Sequence, residues 1–240
     1  MMRGTDKILF IVPAYNEASS VGSTVEEIIR LYPTADVVVI DDGSIDATAQ
    51  VTAAAGAKAL VLPFNLGIGA AVQTGFKFAA EFGYLFVVRV DGDGQHDPQY
   101  AADLLGPILA GEADVATGSR FLPPNTGYRS SFIRRIGINF FAGLLSRLTA
   151  AKITDPTSGF QAFNAKAIGV FAAYYPDDFP EPEAIAVMSR YGLRLREVPV
   201  RMRQRSTGVS SIRYLKTFYY MVKVTCAILL DKLKRRANEA

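Results

Sequence analysis

An α/β architecture, in which a mostly parallel central sheet lies between layers of helices, follows from three features of these 240 residues. Apolar runs of strand length alternate with stretches of helical periodicity, which is the pattern of repeated strand-helix units. Those runs are apolar at successive positions rather than at every second one, so both faces of each strand are buried, as in a parallel sheet covered on both sides. Half of the residues are hydrophobic, enough for one large domain around a real core.

In chain order, "KILFIV" is the first strand and 19–31 the first helix. "DVVVI" is the second strand, and the helix over 46–55 takes Ser44 or Asp46 as its N-cap. "ALVLPF" is the third strand, placed like the others in the middle of the sheet; the helix over 67–82 puts Val72, Phe76 and Ala79 on one face. "YLFVVRV" and "DVATGS" supply two more strands. The rest is less regular: a helix over 131–148, the loop "TDPTSGF", short helices over 165–173 and 183–191, and the extended "LRLREVPVRMRQR". No internal repeat or low-complexity linker interrupts the chain, so 1–210 reads as one domain, with a first half ending near residue 118 and a second half over 119–210. The remaining 211–240 reads as an amphipathic C-terminal helix, with Leu215, Phe218, Tyr219, Val222, Leu229 and Leu233 near one side and lysines and arginines flanking them.

Composition narrows the function classes. A net charge of +3, without aromatics interleaved among long basic runs, makes a poor case for nucleic acid. The single cysteine, Cys226, cannot form an internal disulfide, so a reducing cytosol is the expected home. The apolar stretch near the N-terminus is too short for a secretory signal, and export is not expected. Nowhere do ~18 consecutive apolar residues occur, so any membrane contact is expected to be peripheral. The C-terminal helix is suited to lying among headgroups with its cations near anionic lipid; packing against another subunit explains the same pattern.

In open sheets of this kind, ligands gather beyond the carboxyl ends of the strands. The loops that follow the five strands are "PAYNE", "DDGSIDAT", "NLGIGAA", "DGDGQHD" and "GSR". Asp91 and Asp93, two residues apart after a buried strand, point to the same side in extended geometry. Such carboxylates repel unless a cation lies between them, and hard cations such as Mg²⁺ or Mn²⁺ take oxygen ligands and complete their shell with phosphate oxygens and water. Gln95, two residues on, can add an amide oxygen. A surface turn rich in Asp and Gly has the same local pattern but leaves the neighbouring loops unexplained. His96, the one histidine, lacks the His and Cys company of a zinc site and reads as readily as a hydrogen-bonded loop residue as a base or ligand. Asp41 and Asp42 end the second strand, where capping accounts for one acid and a nucleotide's ribose or base for a pair. Gly67 and Gly69 let backbone N–H groups approach an anion, or simply let helix and strand pack closely. The absence of GxxxxGK[ST] disfavours an ATPase.

Six ordered motifs, "VPAYNE", "VIDDGSIDAT", "NLGIGAA", "DGDGQHDP", "GSR" and "DPTSGF", resemble the family 2 glycosyltransferases of GT-A fold, the group that includes dolichyl-phosphate mannosyltransferase and bacterial polyprenyl-phosphate glycosyltransferases. The resemblance spans 7–211 and implies a Rossmann-like nucleotide-sugar half followed by an acceptor half. It implies a GDP- or UDP-sugar donor whose diphosphate is held through Mg²⁺ or Mn²⁺. Pro13, Ala14, Tyr15 and Glu17, with Asp41, Asp42, Gly67, Asp91 and Gly92, would then surround the nucleotide sugar. Asp91, Asp93 and Gln95 would hold or frame the metal, with Asp93 close to the chemistry. Arg120, and Arg205 in "RQRSTGVSS", would meet phosphate oxygens, although Arg120 could instead pair with a surface acid; Asp155 could simply cap a turn. Ser158 and Glu181 would line the acceptor side. Glu183 falls where relatives carry an acid, and is also a natural helix-start glutamate.

One departure stands out: the family's Gly-x-Ser-Lys reads "GVSSI" here, with Ser211 in place of a basic residue. The implied reaction moves a sugar with inversion to a polyprenyl-phosphate carrier at the cytoplasmic membrane face. Alternatives are transfer to a hydroxyl of a lipid-linked saccharide of the cell envelope, with Glu183 taking the proton, and an inactive nucleotide-sugar-binding scaffold that recruits a membrane protein. A small membrane protein partner and a homo-oligomer are both compatible with the terminal helix, and neither sugar nor nucleotide is specified.

Overall fold

The computed structural model describes residues 7–123, 132–149, 151–177, 180–203 and 225–226. Strands β1 (Ile8–Ala14), β2 (Asp36–Asp41), β3 (Lys58–Val61) and β4 (Phe86–Arg89) alternate with helices α1 (Val21–Leu31), α2 (Thr48–Ala54) and α3 (Ile68–Glu81). After a single 3₁₀ turn at Pro98–Tyr100 come α4 (Ala101–Leu109), β5 (Val115–Ser119), α5 (Phe132–Thr149), β6 (Gln161–Asn164), α6 (Ala165–Ala173), α7 (Pro180–Arg190) and β7 (Leu195–Pro199).

The seven strands form one sheet in the order β3-β2-β1-β4-β6-β5-β7. Every neighbouring pair is parallel except those of β6, which runs antiparallel to both β4 and β5. Fully apolar strands require cover on both sides. One face of the sheet is packed by Val21, Val25 and Ile28 of α1 with Leu104, Leu105 and Ile108 of α4. On the other, α3, α6 and α7 meet around Phe76, whose ring lies 4.8 Å from Phe163, 5.3 Å from Phe171 and 5.4 Å from Tyr175. Val72, Phe76 and Ala79 are all buried, as their spacing predicts.

The structure departs from the sequence expectations in three places. Strand β3 is an edge strand rather than a central one, with Lys58 and Val61 exposed and, among the described residues, only β2 beside it. Strand β6 and helix α4 arise from segments that the apolar pattern does not mark. The antiparallel entry of β6 matters most: its first residue, Gln161, pairs with Arg89 at the end of β4. That register brings the loop "DPTSGF" alongside "DGDGQH", so both lie at the edge where the parallel strands end. The C-terminal helix expected over 211–240 lies outside the described residues, apart from helical Thr225–Cys226. Among the described residues, no helix is long and apolar enough to cross a membrane.

Candidate active site

At the carboxyl edge of β1, β2 and β4 opens a cleft of about 400 Å³ lined by Pro13, Ala14, Tyr15, Glu17, Asp42, Asn65, Gly67, Ile68, Ala71, Asp91, Gly92 and Asp93. A volume of this order suits a small-molecule ligand. One wall is the end of β1 and the loop after it, held by a mesh of bonds from the loop after β2. The backbone N–H of Asn16 donates to Ser44 Oγ at 2.9 Å, that of Glu17 to Thr48 Oγ1 at 2.9 Å and that of Ala18 to Asp46 Oδ2 at 3.2 Å. Asn16 itself sits at φ 55°, and its side chain accepts from the Ile45 N–H, which offsets that left-handed backbone. Tyr15 is half exposed at the mouth.

The paired acids after β2 separate. Asp41 is buried behind the wall and accepts from the Ser44 N–H at 2.9 Å. Asp42, also buried, lines the cleft but receives the N–H groups of Leu66 and Gly67 at 2.8 and 2.9 Å, fixing the entry into α3. The two glycines of "NLGIGAA" separate as well. Gly67 has φ 94°, which favours glycine, and its N–H is engaged by Asp42 rather than offered to an anion. Gly69 is a packing glycine: a Cβ there would lie 2.2 Å from the Pro176 carbonyl oxygen.

Asp91 and Asp93 both reach the cleft, with Gly92 between them pressed so closely on Ala14 that an added Cβ would meet it at 3.2 Å. Asp93 Oδ1 accepts from the Gln95 N–H at 3.0 Å, a local turn that holds its carboxylate in place. Gln95 is outside the cleft lining, and its carbonyl accepts from the Arg203 N–H at 2.9 Å. It therefore frames the loop. His96 is buried, stacks on Phe160 with ring centroids 5.0 Å apart, and accepts at Nδ1 from the Asp91 N–H at 3.0 Å. Burial pushes its pKa below the ordinary imidazole value despite the nearby carboxylates, so it is a neutral structural prop for Asp91.

Behind Asp91 stands a residue that sequence reasoning missed. Arg89, the last residue of β4, is 1% exposed. Its Nε donates to Asp91 Oδ1 at 3.2 Å, its Nη1 to the Tyr175 hydroxyl at 3.3 Å and its Nη2 to Glu181 Oε1 at 2.8 Å. Burial alone would lower the guanidinium pKa, but Asp91 and Glu181 outweigh it and raise it. Burial likewise pushes the Tyr175 phenol up, leaving it a neutral hydroxyl. The signal in the sequence was a lone cation in an apolar run, two residues before Asp91 and so on the same face of the strand. Gly159 makes room for the group, since a Cβ there would come within 2.8 Å of Arg89 Nη2 and 3.0 Å of Asp91 Oδ2.

The phosphate contact expected of Arg120 is not what its side chain makes here. Its Nε and Nη2 donate to the two oxygens of Asp155, each at 2.6 Å, and Nη2 also reaches Thr157 Oγ1 at 2.6 Å. Asp155 is thus far more than a turn cap. Glu197 of β7, another residue the sequence did not mark, receives the N–H groups of Thr154 and Asp155 at 2.9 Å; burial nonetheless raises its pKa. Ser158 is 1% exposed, and its hydroxyl has no partner among the described residues. Glu181 faces Arg89, and Glu183 is half buried in the first turn of α7, outside the cleft lining. Arg205 and Ser211 lie outside the described residues.

Among the described residues, no group of three or more His, Cys, Asp or Glu side chains is placed to hold a metal by itself. Two carboxylates on one wall of an open cleft fit a hard divalent cation only if the ligand supplies further oxygens, as a diphosphate does.

Comparison with known proteins agrees with this architecture. Residues 9–171 match the sequence profile of Glycosyl transferase family 2. Polyprenol monophosphomannose synthase of Mycolicibacterium smegmatis is 32% identical over 224 residues, covering 88% of this chain and 83% of that protein. Undecaprenyl-phosphate mannosyltransferase of Micrococcus luteus is 31% identical over 215 residues, 86% of this chain and 87% of that protein. Among solved structures, glucosyl-3-phosphoglycerate synthase from Mycobacterium tuberculosis, in complex with Mn²⁺, UDP-glucose and phosphoglyceric acid, superposes with a TM-score of 0.74 at 22% identity, over 97% of this chain and 82% of that one.

Proposed function

The chain belongs to glycosyl transferase family 2, and on that premise we propose that it transfers a sugar from a nucleotide-diphosphate sugar to a polyprenyl-phosphate carrier, with inversion, at a membrane surface. The carrying observation is the placement of Asp91 and Asp93 on one wall of a cleft otherwise lined by the ends of β1 and α3. In this reading Pro13, Ala14, Tyr15 and Glu17 receive the nucleoside, and Asp42 acts on it by fixing the turn at Gly67. Asp91 and Asp93 would hold Mg²⁺ or Mn²⁺, which would supply positive charge to neutralise that developing on the departing diphosphate.

The acceptor approaches past "DPTSGF", beneath which the Ser158 hydroxyl is buried and has no partner among the described residues. A phosphate oxygen is already anionic, so it attacks the anomeric carbon in line with the departing diphosphate and needs no strong base. Breaking that bond and forming the new one on the opposite face inverts the centre. The relatives named for polyprenol and undecaprenyl phosphate support this acceptor over a hydroxyl that would require Glu183 as base.

The test is a thermal-shift screen of GDP- and UDP-sugars with and without Mn²⁺, followed by transfer of labelled sugar to undecaprenyl phosphate. At ligand about 100-fold above Kd, stabilisation of about 2.7 kcal/mol is expected only when Mn²⁺ is present. Label should then pass into the organic phase. Stabilisation by no sugar nucleotide, or bound donor whose sugar never reaches the lipid, would refute the proposal.

A further inference from the structure

A cation-binding carboxylate beside a buried guanidinium poses an electrostatic problem, because Arg89 alone would cancel the charge on Asp91 that a divalent ion needs. The structure holds a second acid at the same guanidinium. Glu181, 92 residues further along the chain and in the first turn of α7, takes Arg89 Nη2 at 2.8 Å, a shorter approach than the 3.2 Å from Nη2 or Nε to Asp91 Oδ1. The Tyr175 hydroxyl takes Nη1 at 3.3 Å and adds no charge. Three side chains, from the loop after β4, from α7 and from the segment after α6, thus share one guanidinium carrying a single positive charge between two carboxylates.

We infer that Arg89 is a positioning residue and that Glu181 is its counter-charge: Glu181 draws the guanidinium toward the second half of the domain, so that Asp91 stays oriented by Arg89 yet retains negative charge for a divalent cation in the cleft. This rests on the metal-assisted reading above and reassigns Glu181, which acts through Arg89 on the donor side rather than by touching the acceptor. No contact between Glu181 and the ligand is required. Glu181→Gln keeps the shape and leaves Arg89 paired with Asp91, so the fold survives while the balance changes.

The experiment measures Mn²⁺ uptake by full-length protein, from the loss of the free Mn²⁺ electron paramagnetic resonance signal, with UDP and with GDP and without any sugar. Wild-type protein should bind with at least one of the two. Glu181→Gln should bind about tenfold more weakly, the effect of one charge at this range through partly solvated protein, although Glu181 is not a ligand. Glu181→Asp, which keeps the charge on a shorter arm, should recover most of the loss. Equal uptake by wild type and Glu181→Gln would overturn the inference while leaving the proposed function standing. Equal weakness of the Gln and Asp variants would overturn it too, by showing that shape and not charge is at work. Failure of the wild type with both nucleotides would sink the metal-assisted reading, and this inference with it.

Discussion

Two buried arginines lie at the carboxyl ends of β4 and β5, the two strands that flank β6, and they are used in opposite ways. Arg120, following β5, is clamped by Asp155 through both carboxylate oxygens and closed off by Thr157. One positive charge meets one negative charge within the second half of the domain, and the pair is 5% and 1% exposed. Arg89, ending β4, is shared between Asp91 of the first half and Glu181 of the second. Both arginines address the loop between α5 and β6, Arg120 through Asp155 and Thr157, Arg89 through its close approach to Gly159. A buried pair joined through both carboxylate oxygens fixes a loop. A guanidinium with two acids fixes its partners and leaves surplus negative charge beside the cleft wall.

The largest expected effect is on the closed pair. Arg120→Leu strands the buried Asp155 carboxylate and should cost about 3–5 kcal/mol in urea unfolding. Adding Asp155→Leu should return much of that loss, because an apolar pair of similar volume replaces a buried ion pair at small cost. If the double variant is no more stable than the single one, the loop depends on the Asp155 carboxylate itself, through the bonds it accepts from the Arg120 N–H and the Thr157 hydroxyl, and not on the ion pair.

A smaller effect separates packing from charge at the other arginine. Gly159→Ala would press its methyl group against Arg89 and Asp91 together, an overpacking that typically costs about 1–3 kcal/mol. The same variant should weaken Mn²⁺ uptake with UDP or GDP, since Arg89 and Asp91 must part to admit it. Stability reduced with unchanged Mn²⁺ affinity would show that Asp91 is held by His96 and its backbone alone, without help from Arg89.

How much of this was legible in the sequence depends on the range over which residues act. The strand-helix alternation and the convergence of five loops follow from local pattern, and the cleft is built almost wholly from those loops. Strand β6 was hidden by its polar ends, since Gln161 and Asn164 leave only Ala162 and Phe163 as an apolar run. Helix α4 was hidden by Gly106 and Pro107 within it, both unfavourable to helix by local propensity and overridden by burial of Leu104, Leu105 and Ile108. Arg89 carried a visible signal, since a charge in a buried run demands a counter-charge. Which acid answered could not be read, because Glu181 and Tyr175 stand 92 and 86 positions away and only the sheet order brings them in. Arg120 shows the converse failure: a guanidinium after a strand invites a phosphate, and nothing local reveals that Asp155 already holds it.

The smallest effect comes from a third pair, which tests whether burial is what makes the first two behave differently. Asp114, just before β5, accepts from the Arg194 N–H at 2.8 Å and from Asn164 Nδ2 at 2.9 Å, while the Arg194 side chain is 57% exposed. Burial opposes ionisation of Asp114, yet the bonds from Arg194 and Asn164 prevail and hold its pKa at about 2, below the ordinary 3.8. A depressed carboxylate stabilises the fold at every pH above its unfolded value and loses that contribution as pH falls through its folded one. The difference in urea midpoint between wild type and Asp114→Asn should therefore be level from pH 7 down to about 4, then close between about 4 and 2. Because the guanidinium is in water, 0.5 M salt should also narrow that difference at pH 7, whereas the cost of Arg120→Leu should be almost unmoved by salt. Equal salt sensitivity at both pairs would mean that water reaches Asp155, and the distinction between a closed pair and an open one would fall.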